Sequence, residues 1–247
     1  MTVHLLVNSS LVNGAGAFQN NVNQIHSLGA FLPAVEWAFI FLPIIFHAAF
    51  GVWIIKSGKS NVDRYRYTSN FRYAMQRWTG VIAIVFIFFH VFHLHGWFHT
   101  DYWLKIVEPW GMASFRPYNA ASTLATALSG YLWPIFYLLG VLACVYHFAN
   151  GVWTAGITWG IWISPKAQQW ATYACTAGGI GLAMVGLTAL FSATQIDVAE
   201  AKRIEDNMYN ARVSTGEIKP NEHKRSHSSE STEASDGELN SKDDAAK

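Results

Sequence analysis

The chain has 247 residues, a formal net charge of +1, and 51% hydrophobic against 13% charged residues. The net charge says nothing about nucleic acid, but no basic stripe is interleaved with aromatics, so a nucleic-acid-binding module is set aside. Its two cysteines, Cys144 and Cys175, lie inside apolar runs, so neither a disulfide framework nor a cysteine metal site has the spacing it needs.

The charge is unevenly placed. Only four acidic residues (Glu36, Asp63, Asp101 and Glu108) precede Asp197, and the other twelve fall in the last 51 positions. This divides the chain into an apolar body, residues 1–195, and a charged tail, residues 196–247. A soluble domain needs roughly a quarter of its residues charged. A membrane body does not, because lipid replaces water around it. The fold class is therefore all-α, a transmembrane helix bundle.

In chain order, Met1–Val7 is apolar but too short for a signal peptide and lacks a basic n-region. It reads as the last turns of a helix whose earlier part is not in this sequence. Four apolar runs follow, Phe31–Ile55, Trp78–Trp97, Tyr131–Thr154 and Ala171–Ala193. Each suffices for a bilayer core of ~30 Å, which takes about 20 helical residues. Pro43 and Pro134 fall inside two of them and are tolerated where neighbouring helices satisfy the freed carbonyls.

Between Lys56 and Arg77 six Lys and Arg stand against one acid, Asp63, so the positive-inside rule places this connection in the cytoplasm. His99–Gly130 is then external, and the tail leaves on the outer face. The tail opens as a short helix around Val198–Arg212. From Lys219 it becomes Ser/Glu/Lys/Asp-rich, a composition that favours disorder.

His47, His90, His93 and His147 lie inside the spans. Ionisable residues at membrane depth are costly and mark function. A lone one is more often a helix–helix hydrogen bond, but here several share a depth. His47 and His147 lie eight and seven residues before the cytoplasmic ends of two helices that run the same way. At ~1.5 Å per residue both sit about 10–12 Å from the inner edge. Two imidazoles at one level on two helices suit the two axial positions of one haem iron.

The flanking sequences repeat. Phe46-His47-Ala-Ala-Phe-Gly51-Val-Trp53 parallels Tyr146-His147-Phe-Ala-Asn-Gly151-Val-Trp153. Gly51 and Gly151 follow their histidines by one turn on the same face, where a flat macrocycle can press on the backbone. Close helix packing is the competing reading of these glycines.

His90 lies near the opposite leaflet, and His4 reaches that level if Met1–Leu6 is the outer end of a helix. His93 shares a face with His90 and is the substitute ligand; His90 is preferred as the deeper. His95 and His99 continue toward the surface, where they suit a propionate, a proton path or water. A di-iron hydroxylase box is set aside. The cluster is single, sits near the outer side and lacks carboxylates.

The chain resembles the diheme cytochrome b membrane anchors of succinate:menaquinone oxidoreductases and fumarate reductases. The resemblance rests on Glu36–Gly51, Gln76-Arg77-Trp-Thr-Gly80 leading to His90-Val91, and His147–Trp153 with Thr158-Trp-Gly160 and Ser164-Pro165. It covers nearly all of residues 1–193 and none of the tail. It implies five spans, the first beginning before the residue matching His4, and two haems b. The implied ligand pairs are His47 with His147 on the cytoplasmic side and His4 with His90 on the outer side. It also implies an FAD flavoprotein subunit and an iron–sulfur subunit on the cytoplasmic face, and menaquinone or another quinone as substrate.

Such a subunit sits in the cell inner (cytoplasmic) membrane as a multi-pass protein and does no dicarboxylate chemistry alone. Bis-His ligation saturates the iron and suits electron transfer. A quinol:fumarate direction and a haem b anchor for another dehydrogenase are the alternatives.

Overall fold

Long apolar runs with few breakers fold as helices, because in lipid each backbone polar group must be satisfied within its own segment. The computed structural model describes residues 1–59, 62–98 and 100–226. Among these the chain forms α1 (Thr2–Ser9), α2 (Ala15–His26), α3 (Gly29–Ser57), α4 (Thr68–Leu94), α5 (Asp101–Val107), α6 (Ala120–Ala127), α7 (Leu132–Thr158), α8 (Pro165–Gln195) and α9 (Val198–Ser214). The sole β feature among the described residues is a bridge between Arg116 and Asn119.

Helices α3, α4, α7 and α8, of 29, 27, 27 and 31 residues, are long and apolar enough to cross a membrane. These are the four expected spans, each longer overall, although α4 ends at Leu94 rather than Trp97 and α7 starts at Leu132 rather than Tyr131. The largest difference is at α4, which starts at Thr68 rather than Trp78. Hydropathy marks the lipid-embedded part of a helix, whereas its hydrogen bonds run on into polar sequence. Arg72 and Arg77, expected in a loop, are therefore helical. Helix α8 begins at Pro165, with Ser164 Oγ accepting from Ala167 N at 3.2 Å, an N-cap followed by proline at the first helical position.

Helix α7 packs between α4 and α8, and α1 lies along α8. Small residues permit the approach. Gly140 of α7 faces the Phe86 ring of α4. A Cβ at Gly186 of α8 would meet Val141 Cγ1 at 2.7 Å and Leu5 Cδ2 at 3.5 Å. By contrast, no residue of α3 is buried. This helix stands off from the other three along most of its length. It is also irregular. Across Trp37–Phe41 it widens to a π-turn, with Leu42 N donating to Trp37 O. The cause is Pro43, which has no N–H and whose ring crowds the carbonyl one turn earlier.

One end of the bundle carries the basic connection between α3 and α4 and the short link between α7 and α8. The other end carries a cap built from α2, α6 and α9. Leu11, Ala15, Phe18, Val22, Ala121, Leu124 and Ala201 belong to its buried apolar cluster. The charged segment after residue 195 is thus ordered at first. Helix α9 buries Ala201, Glu205 and Tyr209, one face at a spacing of four. The expectation of disorder in the tail falls mostly on residues 227–247, outside the described residues.

Candidate functional site: two facing histidine pairs

His47 on α3 and His147 on α7 face each other, with ring centroids 6.0 Å apart and planes at 82°. His4 on α1 and His90 on α4 do the same at 5.8 Å and 78°. An imidazole nitrogen sits about 2 Å from a first-row transition metal and its ring centre about 1.1 Å farther, so two axial rings on one iron have centres about 6 Å apart. Both separations match that value. His47–His147 lies toward the basic end. His90 is one turn from the end of α4 at Leu94, so its pair lies toward the cap.

No family model matches the chain, and no solved structure matches it. A curated relative does: the succinate dehydrogenase cytochrome b558 subunit of Bacillus subtilis (strain 168) is 34% identical over 189 residues, covering 76% of this chain and 86% of the relative. The chain belongs to the succinate dehydrogenase cytochrome b558 subunit family.

The residues of this cytochrome b558 family member fit a bis-His haem in further respects. His147 Nδ1 lies 3.0 Å from the carbonyl oxygen of Gln76. A ring that donates its Nδ1 proton to a carbonyl keeps Nε2 free as a ligand, the arrangement typical of metal-binding histidines. Gln76 also holds the histidine's backbone, donating from Nε2 to His147 O at 3.1 Å, and the same nitrogen is 3.4 Å from His147 Nε2, a contact that a metal on Nε2 would displace.

Gly80, one turn beyond Gln76, leaves room for the ring. A Cβ there would meet His147 Cε1 at 2.9 Å. Gly51 has open space in front of it on the His47 face, and a Cβ at Gly151 would meet only Gln76 Nε2, at 3.4 Å. The stand-off of α3 opens the same region. Gly51 and the stand-off of α3 thus leave open room on the His47 side.

His93 is the substitute for His90. It is buried and stacked on Trp133, with ring centroids 3.6 Å apart and planes at 9°. Its Nδ1 lies 3.1 Å from Tyr137 Oη, and His90 Nδ1 lies 3.2 Å from the same oxygen. His95 lies beside Phe41 of α3 at 6.4 Å. His99 lies outside the described residues. Glu36 stands half-buried just before the π-turn.

At the basic end Arg72 is engaged within the protein. Its Nε donates to Asn150 Oδ1 at 2.9 Å and its guanidinium stacks 3.6 Å over Trp153. Asn150 Nδ2 in turn donates to Gln76 Oε1 at 2.8 Å. Arg72, Asn150, Gln76 and His147 form one linked network. Arg77 stacks over Tyr73 at 4.2 Å. Gln76, Gly80, Asn150 and Tyr137 had not been singled out as supports of the histidines. The Gln76–Gly80 and His147–Trp153 motifs contained three of them, and nothing in the sequence pointed to Tyr137.

At the cap, the first N–H groups of α6 are satisfied from other helices. Ala120 N donates to Gln19 Oε1 at 3.0 Å, and Ala121 N and Ser122 Oγ each donate to Glu205 at 2.5 Å. Burial raises the Glu205 carboxyl above the ordinary range, while the bonds from Ser122 and Ala121 act in the opposite direction. Asp206 is lowered on balance: burial pushes it up, but Lys202, Asn119 and Arg225 prevail.

Proposed function

We propose that the chain is the membrane-anchor cytochrome b subunit of a succinate:quinone oxidoreductase, with two haems b, one between His47 and His147 and one between His4 and His90. The observation that carries this reading is the pair of opposed imidazole couples at 6.0 and 5.8 Å, each drawn from two different helices. Bound there, the haems supply one-electron redox chemistry between an iron–sulfur subunit and menaquinone or another quinone.

The protein's own work is to hold and orient. Gln76 O fixes the His147 tautomer, Gly80 leaves room for the His147 ring, and Gly51 and Gly151 keep side chains out of the macrocycle's space. The subunit alone has no dicarboxylate activity in this reading. Residues 1–195 are the haem-holding body, and residues 196–247 an appended segment.

The basic end faces the cytoplasm, by the distribution of Lys and Arg. Arg64, Tyr65, Arg66 and Tyr67 are exposed there and suit docking of the iron–sulfur and flavoprotein subunits. The multi-pass body lies in the cytoplasmic membrane. The haem-to-protein ratio and reduced-minus-oxidised spectrum of the purified chain test the reading. Two low-spin b-type haems per chain are expected. One haem or none, or a high-spin spectrum, contradicts it.

A further inference from the structure

The two histidine pairs are braced from behind by different groups. Behind His147 stands a backbone carbonyl, Gln76 O. Behind His90 stands a phenol. Tyr137 Oη lies 3.2 Å from His90 Nδ1 and 3.1 Å from His93 Nδ1. Tyr137 projects from α7 and is buried. Its ring stands edge-on to Phe86 at 5.5 Å, and Phe86 stacks on His90 at 5.5 Å. His93 is fixed by its stack on Trp133. None of these three polar groups is free to turn away.

The proton inventory then gives the contacts a direction. A neutral histidine that offers Nε2 to a metal carries its proton on Nδ1. His90 Nδ1 therefore donates to Tyr137 Oη. Tyr137 has one proton of its own, and the remaining partner is His93 Nδ1, which must accept it. His93 is thereby the Nε2–H tautomer. The chain runs one way, from His90 to Tyr137 to His93, and each bond polarises the next.

We propose that Tyr137 is a positioning residue for the haem at the capped end, accepting the Nδ1 proton of His90 so as to fix its ring plane and make it a more electron-rich ligand, with His93 orienting the phenol. The proposal rests on the reading of His4 and His90 as haem ligands. A more basic axial imidazole favours the oxidised iron, and an outer hydrogen bond of this kind is one of the protein's levers on haem potential. A tyrosine that merely fills space and satisfies its own hydroxyl has no such effect.

The test is redox titration of both haems, with low-temperature electron paramagnetic resonance, in the full chain carrying Tyr137→Phe or His93→Phe. His90→Ala and His147→Ala identify which signal belongs to which site. In Tyr137→Phe both haems are expected to remain, and the haem that His90→Ala removes should titrate at higher potential. The expected shift approaches a tenfold change in its oxidised-to-reduced ratio, about 59 mV for one electron. The other haem should not move. His93→Phe, which keeps the stack on Trp133, should give a smaller shift of the same haem in the same direction.

Unchanged potentials in Tyr137→Phe, or a shift of the other haem, overturn the proposal. If Tyr137→Phe fails to assemble, His93→Phe decides, and an unchanged potential there overturns it. Failure of the underlying reading shows differently: His90→Ala then removes no haem.

Discussion

His147 Nδ1 and the carbonyl oxygen of Gln76 lie 3.0 Å apart across the contact of α7 with α4. The contact sets the ring's tautomer and direction together, and it depends on Gly80. A Cβ at that position would meet His147 Cε1 at 2.9 Å and Nδ1 at 3.2 Å. Gly80→Val is therefore expected to swing the imidazole off its axis and remove the basic-end haem, while the capped-end haem remains. Gly80→Ala should weaken the same site less. Optical titration of haem per chain checks both.

The His4 pair depends on a helix contact in the same way. Leu5, next to His4, packs toward Gly186 of α8, where a Cβ would come within 3.5 Å of Leu5 Cδ2 and 2.7 Å of Val141 Cγ1. Gly186→Val should clash first with Val141 of α7 and, with its longer side chain, crowd Leu5 of α1, lowering occupancy of the capped-end haem more than that of the other. Equal loss of both haems would point to general misfolding instead.

The cap rests on a buried carboxylate. Glu205 is 0% exposed and receives Ala121 N and Ser122 Oγ. Glu205→Ala leaves those donors unpaired, at a cost on the order of 1–3 kcal/mol. Faster amide hydrogen exchange in residues 120–127 and 198–214 is the expected result, with little change in the four spans.

Acid should loosen the same cap. Burial, aided by the charge of Lys224, lowers the His26 pKa from 6.5 to about 4. The unfolded imidazole takes up its proton near its ordinary value, whereas the folded one resists until near 4. Neutral His26 is thus the folded form. Its contribution to stability is present above about 6.5 and lost as the pH falls toward 4. Protection factors of α2, corrected for the intrinsic exchange rate at each pH, should fall with acid between these limits, and His26→Gln should flatten the profile.

Much of this architecture is legible in the sequence because membrane helices obey simple constraints. Span length follows from bilayer thickness, and the level of a residue follows from a constant rise per turn. That is why counting from the span ends brings His47 to the level of His147. The repeat around Gly51 and Gly151 adds the face.

What the sequence hides is whatever depends on tertiary approach. Tyr137 reads as one aromatic among many in Trp133–Tyr137. Its role emerges only when α7 lies against α4 and its hydroxyl reaches His90 and His93. Composition likewise concealed the packing of α9. That helix is polar on average, and its buried face contains Glu205, a residue counted among the tail's charges.

The start of α4 at Thr68 is missed for a related reason. Hydropathy falls off at Arg77 and Arg72, yet both lie on the helix, one stacked over Tyr73 and the other over Trp153.

The most direct test of the histidine pairing is haem retention in four single variants, His4→Ala, His47→Ala, His90→Ala and His147→Ala, resolved by potential and by low-temperature spectra. His47→Ala and His147→Ala should abolish one and the same haem signal, and His4→Ala and His90→Ala the other. Loss of different signals within either couple would contradict the pairing.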